Sequence, residues 1–97
     1  MRHEIILSPE AIQDLCSLKA HWRGAVRAAL ETHLWQNPTK ESKSRIKRLR
    51  GMSRPQYRLR VDKVRVFYDV SGEIVEVLAI VPKSEAQAWL EKVGREK

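Results

Sequence analysis

Residues 57–68 read YRLRVDKVRVFY, and this stretch decides the fold class. Apolar and charged or aromatic side chains alternate on both sides of Asp62-Lys63, which is the period of two expected of half-buried β-strands. Asp62-Lys63 itself is a two-residue gap suited to a tight hairpin turn. The stretch therefore predicts two antiparallel strands joined at Asp62-Lys63.

This hairpin predicts a face rich in arginine. With the turn at Asp62-Lys63, Arg60 lies opposite Arg65 and Arg58 lies opposite Phe67, all on one side of the sheet. Like charges in direct cross-strand contact destabilise a sheet, and guanidinium groups match phosphate with two parallel hydrogen bonds. The pattern favours an anion-binding face. The alternative is that these arginines are solvated strand residues whose stems cover apolar surface.

Downstream of the hairpin, the sequence predicts one more strand and a helix. Ser71-Gly72 is a second candidate turn, which would place Glu76 opposite Phe67. Residues 73–81 are almost continuously apolar, as expected of a strand buried on both faces. Residues 84–87 fit a capping box at the start of a terminal helix.

Upstream of the hairpin, residues 3–7 predict a strand, and Ser8-Pro9-Glu10 is a typical helix start. Two helical runs follow with Gly24 between them, which favours a helical hairpin bending near residues 21–24; one kinked helix is the alternative. Residues 40–54 show no period and predict a long loop. The predicted order is β-α-α-β-β-β-α: one α+β domain over residues 1–97, with two N-terminal helices on a small antiparallel sheet.

Positive charge is concentrated in one segment. Residues 40–65 contain eleven Lys/Arg and two acidic residues, a net charge of +9, whereas the other 71 residues carry a net charge of −2. A local cluster of this size indicates a polyanionic partner such as nucleic acid. It also predicts an acidic or amphipathic protein partner that covers the basic face.

Several classes of protein and site are disfavoured. Cys16 is the only cysteine, so no intrachain disulfide is expected. The N-terminus lacks the apolar region of a signal peptide and no run reaches membrane-spanning length, so we expect a cytoplasmic protein that does not bind membranes. No metal-ligand spacing, glycine-rich phosphate loop or paired-carboxylate motif occurs, so we expect no metal and no cofactor. Any catalysis would come from the basic residues.

The second half of the chain resembles a known family. Residues 48–52 (RLRGM), 57–60 (YRLR), 64–68 (VRVFY) and the apolar strand at 75–83 are similar to the corresponding segments of RelE/ParE toxins of type II toxin–antitoxin systems. The order of elements fits over essentially the whole chain, and the helical half matches in pattern only. The resemblance implies a RelE-like fold.

The resemblance implies two possible activities. RelE-like members cut messenger RNA on the ribosome without metal, by driving the ribose 2′-hydroxyl onto the adjacent phosphate. ParE-like members share the fold, lack this chemistry and inhibit DNA gyrase. Both are silenced by a cognate antitoxin (RelB-like for the first kind), and the pair binds its own operator DNA. We expect a ribosome-dependent mRNA interferase that inhibits translation; a gyrase inhibitor and a non-catalytic nucleic-acid-binding module are the alternatives.

The arginine face, the basic segment and the resemblance together indicate which residues form the site. The expected catalytic residues are basic: Arg58, Arg60, Arg65 and Lys83. The expected RNA-binding residues lie in the basic segment and the terminal helix: Lys47, Arg48, Arg50, Arg54 and Trp89. Where RelE-like members carry a terminal tyrosine, this chain has Trp89-Leu90, and neither residue can accept a proton. Two carboxylates, Glu76 and Glu85, are therefore the candidate bases.

Overall fold

The structure, a computed structural model, describes residues 2–95 and is a three-helix, five-strand α+β fold. Its elements are β1 (Glu4–Leu7), α1 (Pro9–Ser17), α2 (Ala20–Ala29), a π-helical turn (Leu30–Leu34), β2 (Ile46–Arg48), β3 (Tyr57–Val61), β4 (Val64–Ser71), β5 (Ile74–Pro82) and α3 (Lys83–Arg95). The strands form one sheet in the order β1-β5-β4-β3-β2. The predicted α+β class is confirmed. No helix in the described range is long and apolar enough to cross a membrane.

The central hairpin has the predicted register. β3 and β4 are antiparallel, with Arg60 opposite Arg65 and Arg58 opposite Phe67. Asp62 adopts a left-handed backbone conformation with φ 52°, which aspartate tolerates better than most residues because its short polar side chain can bond locally. The alternation of the sequence therefore gave the correct pairing.

The sheet differs from the prediction at both edges. β1 pairs in parallel with β5, so the sheet is mixed rather than purely antiparallel. β2 lies within the segment predicted to be a loop, with Ile46 opposite Leu59 and Lys47 opposite Arg58. Three residues with a single apolar side chain are too few to show a period of two, so β2 could not be recognised from its pattern.

The second hairpin is also shifted from the prediction. Ser71 pairs with Ile74, so the turn is Gly72-Glu73, and Gly72 has φ 60°, a conformation that glycine adopts without strain. Glu76 consequently lies opposite Asp69 and not opposite Phe67. A two-residue turn can be placed one position away without changing the apolar pattern of a strand that is buried on both faces.

A β-bulge then shifts the register by one more residue further along β5. Phe67 pairs with Ala79 and Tyr68 with Val77, which leaves Leu78 as the extra residue. Helix α1 satisfies the backbone groups around it: the Ser8 hydroxyl donates to the Leu78 carbonyl at 3.0 Å. The carboxylate of Asp14, also in α1, accepts from the Ile80 N–H at 3.0 Å. Buried backbone groups need such partners, so α1 and the bulge stabilise each other.

The helices begin close to the predicted positions, but the bend between α1 and α2 lies elsewhere than predicted. Ser8 caps α1 as predicted, its hydroxyl oxygen accepting from the Ala11 N–H. The break comes at Leu18–Lys19 instead of residues 21–24, and Gly24 lies inside α2. The π-helical turn continues α2, and α3 starts at Lys83, before the predicted capping box. Two N-terminal helices are therefore present, as the hairpin interpretation required.

Two apolar layers cover the two faces of the sheet. On the core face, strand residues such as Leu59 and Val66 pack against residues of α1, α2 and the π-helical turn. On the opposite face, here called the α3 face, Phe67, Ala79 and Val81 pack against α3 residues including Trp89. The α3 layer is much smaller, so α3 covers only part of this face.

Candidate nucleic-acid interface

Four basic side chains lie together at one end of the α3 face. They come from three adjacent strands and are here called the cationic cluster: Lys47, Arg58, Arg60 and Arg65. Lys47 pairs with Arg58 across β2 and β3, and Arg60 pairs with Arg65 across β3 and β4. Because paired residues share a face, and Arg58 is two residues from Arg60 on the same strand, all four emerge on the same side.

Arg65 is the buried member of the cationic cluster, with only 6% of its surface exposed. Its Nη1 donates to the Asp62 carbonyl at 2.7 Å and to the Val64 carbonyl at 3.1 Å. Burial lowers the pKa of Arg65, and the positive charges of Arg58 and Arg60 lower it further. Arg65 therefore fixes the β3–β4 turn and adds positive potential from below the surface.

Arg58 and Arg60 present their guanidinium groups differently. Arg60 is exposed, whereas Arg58 is half-buried, and the Nε atom of Arg58 is buried without a hydrogen-bond partner. A buried donor left unpaired costs about 1–3 kcal/mol. An anion at the cluster could accept from this group, so the arrangement is suited to a phosphate.

Within residues 2–95, no carboxylate forms an ion pair with the cationic cluster. The ion pairs in this range are those of Arg54, which contacts Asp69 at 2.9 Å and Glu76 at 3.1 Å. Asp69 is four residues from Arg65 along β4, which corresponds to about 13 Å. Glu76, paired with Asp69, therefore lies at the other end of the face. The register shift in the second hairpin moved this candidate base away from the arginines.

Other predicted RNA-binding residues are separated from the cationic cluster. Arg48 emerges on the core face, where its guanidinium lies 5.1 Å from the centre of the Tyr57 ring. Arg54 is engaged with carboxylates, as described. Arg50 is exposed in the turn that contains Gly51 at φ 78°. The sequence predicted one basic surface, and the structure divides it because successive strand residues alternate between faces.

The predicted residues of α3 have separate roles. Lys83 is exposed at the first position of α3, and its backbone N–H donates to the Lys63 carbonyl at 2.7 Å, which places it at the β3–β4 turn. Glu85 is exposed in the first turn of α3. Trp89 stacks on Phe67, with ring centres 4.8 Å apart and planes 13° apart. One side of the Trp89 ring is thus used in packing.

A family model described as "ParE toxin of type II toxin-antitoxin system, parDE" matches residues 5–87. The chain belongs to this toxin family. A search of curated protein sequences finds no match.

The RelE-like fold is shown by solved structures. A mutant of the Escherichia coli toxin RelE in the free state is similar with a TM-score of 0.72 and 22% identity, covering 98% of each chain. The RelBE2 toxin–antitoxin complex of Mycobacterium tuberculosis gives a TM-score of 0.69 and 19% identity, covering 84% of this chain and 99% of that one. For the RelB–RelE complex of Methanococcus jannaschii the values are 0.67 and 20%, covering 87% and 96%. The resemblance to RelE/ParE toxins is therefore confirmed.

Tyrosine cannot supply a base at the cluster of this toxin. Tyr68 is fully buried on the core face, stacks on Tyr57 at 5.4 Å, and donates its hydroxyl to the Pro38 carbonyl. Burial, followed by the neighbouring Tyr57, raises the pKa of Tyr68 far above its ordinary value. Both tyrosines emerge on the face opposite to the arginines. The cluster can therefore bind and polarise a phosphate, but the described part of the chain brings it no tyrosine.

Proposed function

We propose that this toxin is a metal-independent, ribosome-dependent endoribonuclease whose cationic cluster binds the scissile phosphate of messenger RNA. The supporting observation is the cluster itself, in which the four basic groups have no ion-pairing carboxylate among residues 2–95. Phosphate is the ligand that would relieve their mutual repulsion and would offer an acceptor to the buried Nε of Arg58.

The reaction we propose forms a bond between the ribose 2′-oxygen and phosphorus while the bond from phosphorus to the 5′-oxygen breaks. The 2′-hydroxyl proton passes to a base, and the departing 5′-oxygen gains a proton. Negative charge grows on the phosphate oxygens in the transition state, where Arg58 and Arg60 would stabilise it. Arg65 would add to the positive field. The products are a 2′,3′-cyclic phosphate and a 5′-hydroxyl.

In this proposal the toxin protonates the leaving 5′-oxygen, and either the toxin or the ribosome accepts the 2′-hydroxyl proton. A guanidinium stays charged at any working pH, so within the cluster Lys47 is the member suited to protonate the leaving oxygen, with Lys83 near the same turn as a second donor. Glu76 is engaged by Arg54, which leaves Glu85 as the candidate base from this chain. Otherwise the ribosome supplies the proton acceptor, and this would make cleavage depend on it.

The test is 5′-end mapping of a messenger RNA in a purified translation reaction. Wild-type toxin should produce cuts that require ribosomes. Arg58→Gln and Arg60→Gln should each reduce cutting at least tenfold, whereas Arg27→Gln, an equal loss of charge on an exposed position of α2, should leave it unchanged. Arg65→Ala is a poorer probe because Arg65 also holds the turn. Messenger RNA that stays intact in a translation reaction containing ribosomes and folded wild-type toxin would overturn the proposal.

A second candidate function is inhibition of DNA gyrase. The match to a ParE family model supports it, and so does the position of Glu76, which the second hairpin carries away from the cationic cluster. A supercoiling assay separates the two. Loss of supercoiling together with intact RNA would favour the gyrase inhibitor.

We also propose that a RelB-like antitoxin silences the toxin by covering its basic face, and that the pair together binds operator DNA. Two of the solved structures above are complexes of RelE-type toxins with their antitoxins. The net charge of +7 favours an acidic partner. The site of action would be the cytoplasm, where ribosomes translate. A partner encoded beside the toxin should co-purify with it, less efficiently as salt is raised.

A further inference from the structure

A second basic pocket lies away from the α3 face, between the π-helical turn and the segment before β2. It is a cavity of about 230 Å³. Its lining residues come from these two segments and are mostly polar or charged: Thr32, His33, Asn37, Lys40, Glu41, Ser42, Arg45 and Ile46. π-Helical turns are rare and occur frequently at functional sites. The composition of the pocket is unlike that of an apolar packing defect.

The rim of the pocket is fixed by backbone hydrogen bonds. The Ser42 hydroxyl oxygen accepts from the N–H of Arg45 at 3.0 Å and of Ile46 at 3.2 Å. The Arg45 carbonyl accepts from the Arg60 N–H at 2.8 Å, which ties the segment to β3. The backbone of Arg45 is therefore held from both sides, which fixes the point from which its exposed side chain extends.

Positive charge dominates the pocket. Lys40 and Arg45 line it beside the half-buried imidazole of His33. Burial lowers the pKa of His33, and the charge of Arg45 lowers it further. The acidic residue of the lining is Glu41, one of whose carboxylate oxygens accepts from the Arg48 N–H at 3.0 Å. A bound anion would meet two permanent cations and an imidazole able to take up a proton.

We propose that this pocket is a phosphate-binding subsite in which Lys40, Arg45 and His33 hold a backbone phosphate of the RNA. The inference rests on the proposed function, since it extends the RNA path from the cationic cluster. Arg45 is two residues before Lys47, about 7 Å along the strand direction. β2 is the edge strand of the sheet, so no neighbouring strand blocks a single RNA strand from passing between the two sites.

The experiment follows the imidazoles of the full chain by NMR across pH, with two probes: inorganic phosphate and a 2′-O-methyl oligoribonucleotide that cannot be cleaved. The His33→Gln variant identifies the His33 resonance. Each probe should raise the pKa of His33, because an anion stabilises the imidazolium. The resonances of His3 and His21 should not respond to either probe. Burial and Arg45 set the starting pKa of His33, and Lys40 and Glu41 are the other charged groups that line the pocket.

Two charge-matched variants sharpen the test. Arg45→Gln should raise the pKa of His33 without any ligand and should at least halve the further rise caused by phosphate. Arg27→Gln removes a charge outside the pocket and should alter neither. Unchanged NMR spectra elsewhere would show that both variants fold.

The outcomes separate the subsite from the proposed function. RNA that binds and is cut while neither probe moves His33 would overturn the subsite and leave the nuclease standing. Phosphate that moves the His33 resonance while the oligonucleotide does not would keep an anion pocket and overturn the RNA path, and the 5′-end mapping with ribosomes would decide the nuclease separately.

Discussion

The two faces of one sheet carry different side chains in this toxin, although the same strands build both. On the core face Leu59 and Val66 are fully buried beneath the N-terminal helices. On the α3 face, their neighbours Arg60 and Arg65 join a cluster of like charges with no ion-pairing carboxylate in the described range. Alternation along a strand therefore lets adjacent residues divide stability and binding between them. Substitutions at adjacent positions should separate the two properties.

The largest expected effect comes from Leu59→Ala. Removing a fully buried leucine side chain leaves a cavity and costs about 2–5 kcal/mol of folding free energy. Arg60→Gln, at the next position, should cause no loss of stability and should raise it by a few tenths of a kcal/mol (about 0.2–0.5), because Arg60 is exposed and its removal relieves the cross-strand repulsion of Arg65. Urea unfolding of both variants measures this difference. Equal losses would show that the α3 face also carries the fold.

Arg60→Gln on the α3 face and Arg48→Gln on the core face are compared by the salt dependence of RNA binding. A phosphate contact to single-stranded RNA contributes about 0.7 to the slope of log affinity against log salt concentration. Arg60→Gln should lower that slope by about 0.7 because Arg60 is exposed in the cationic cluster. Arg48→Gln should leave it nearly unchanged, since Arg48 lies over Tyr57 on the other face. Fluorescence anisotropy with an uncleavable RNA at several salt concentrations provides the slopes; the reverse order would place the RNA on the core face.

The sequence was sufficient where local pattern alone decides the structure. Alternation around Asp62-Lys63 determined the pairing of Arg58, Arg60 and Arg65, because a shift of one residue would place these charges in the core. The cap at Ser8 was predictable for a similar reason, since its hydroxyl interacts within one helical turn.

Other features depend on contacts between distant parts of the chain. The backbone around the bulge at Leu78 is bonded to Ser8, the N-cap of α1, and to Asp14 of α1, which lie 70 and 66 residues away in sequence from their partners. The helix break at Leu18–Lys19 has no glycine or proline to mark it. No local period encodes such contacts.

The candidate site shows the same division. The sequence identified the arginines of the α3 face, but it grouped them with Arg48 and Arg54, which the structure places over Tyr57 and between two carboxylates. It also assigned Arg65 to phosphate contact, and the structure adds that Nη1 of this buried side chain donates to two carbonyl groups of its own turn. Charge counting detects a basic segment, and only side-chain direction assigns each charge a role.

The smallest effect we expect is a pH dependence of stability that arises at His33. Its pKa in the folded protein is lowered from the ordinary value of 6.5 by burial and by Arg45. Between the lowered value and 6.5 the unfolded chain binds more protons at His33 than the folded chain, so stability falls as the pH drops through this window. Above pH 6.5 both states are neutral at His33 and the effect vanishes.

His33→Gln should flatten this part of the stability curve, and urea unfolding from pH 5 to pH 8 measures it. An equally steep acid loss in the variant would show that the pH dependence does not arise at His33. A flatter curve would show that burial and Arg45 make protonation of His33 unfavourable in the free protein. If the proposed subsite binds phosphate, added phosphate should then stabilise the wild type more than His33→Gln.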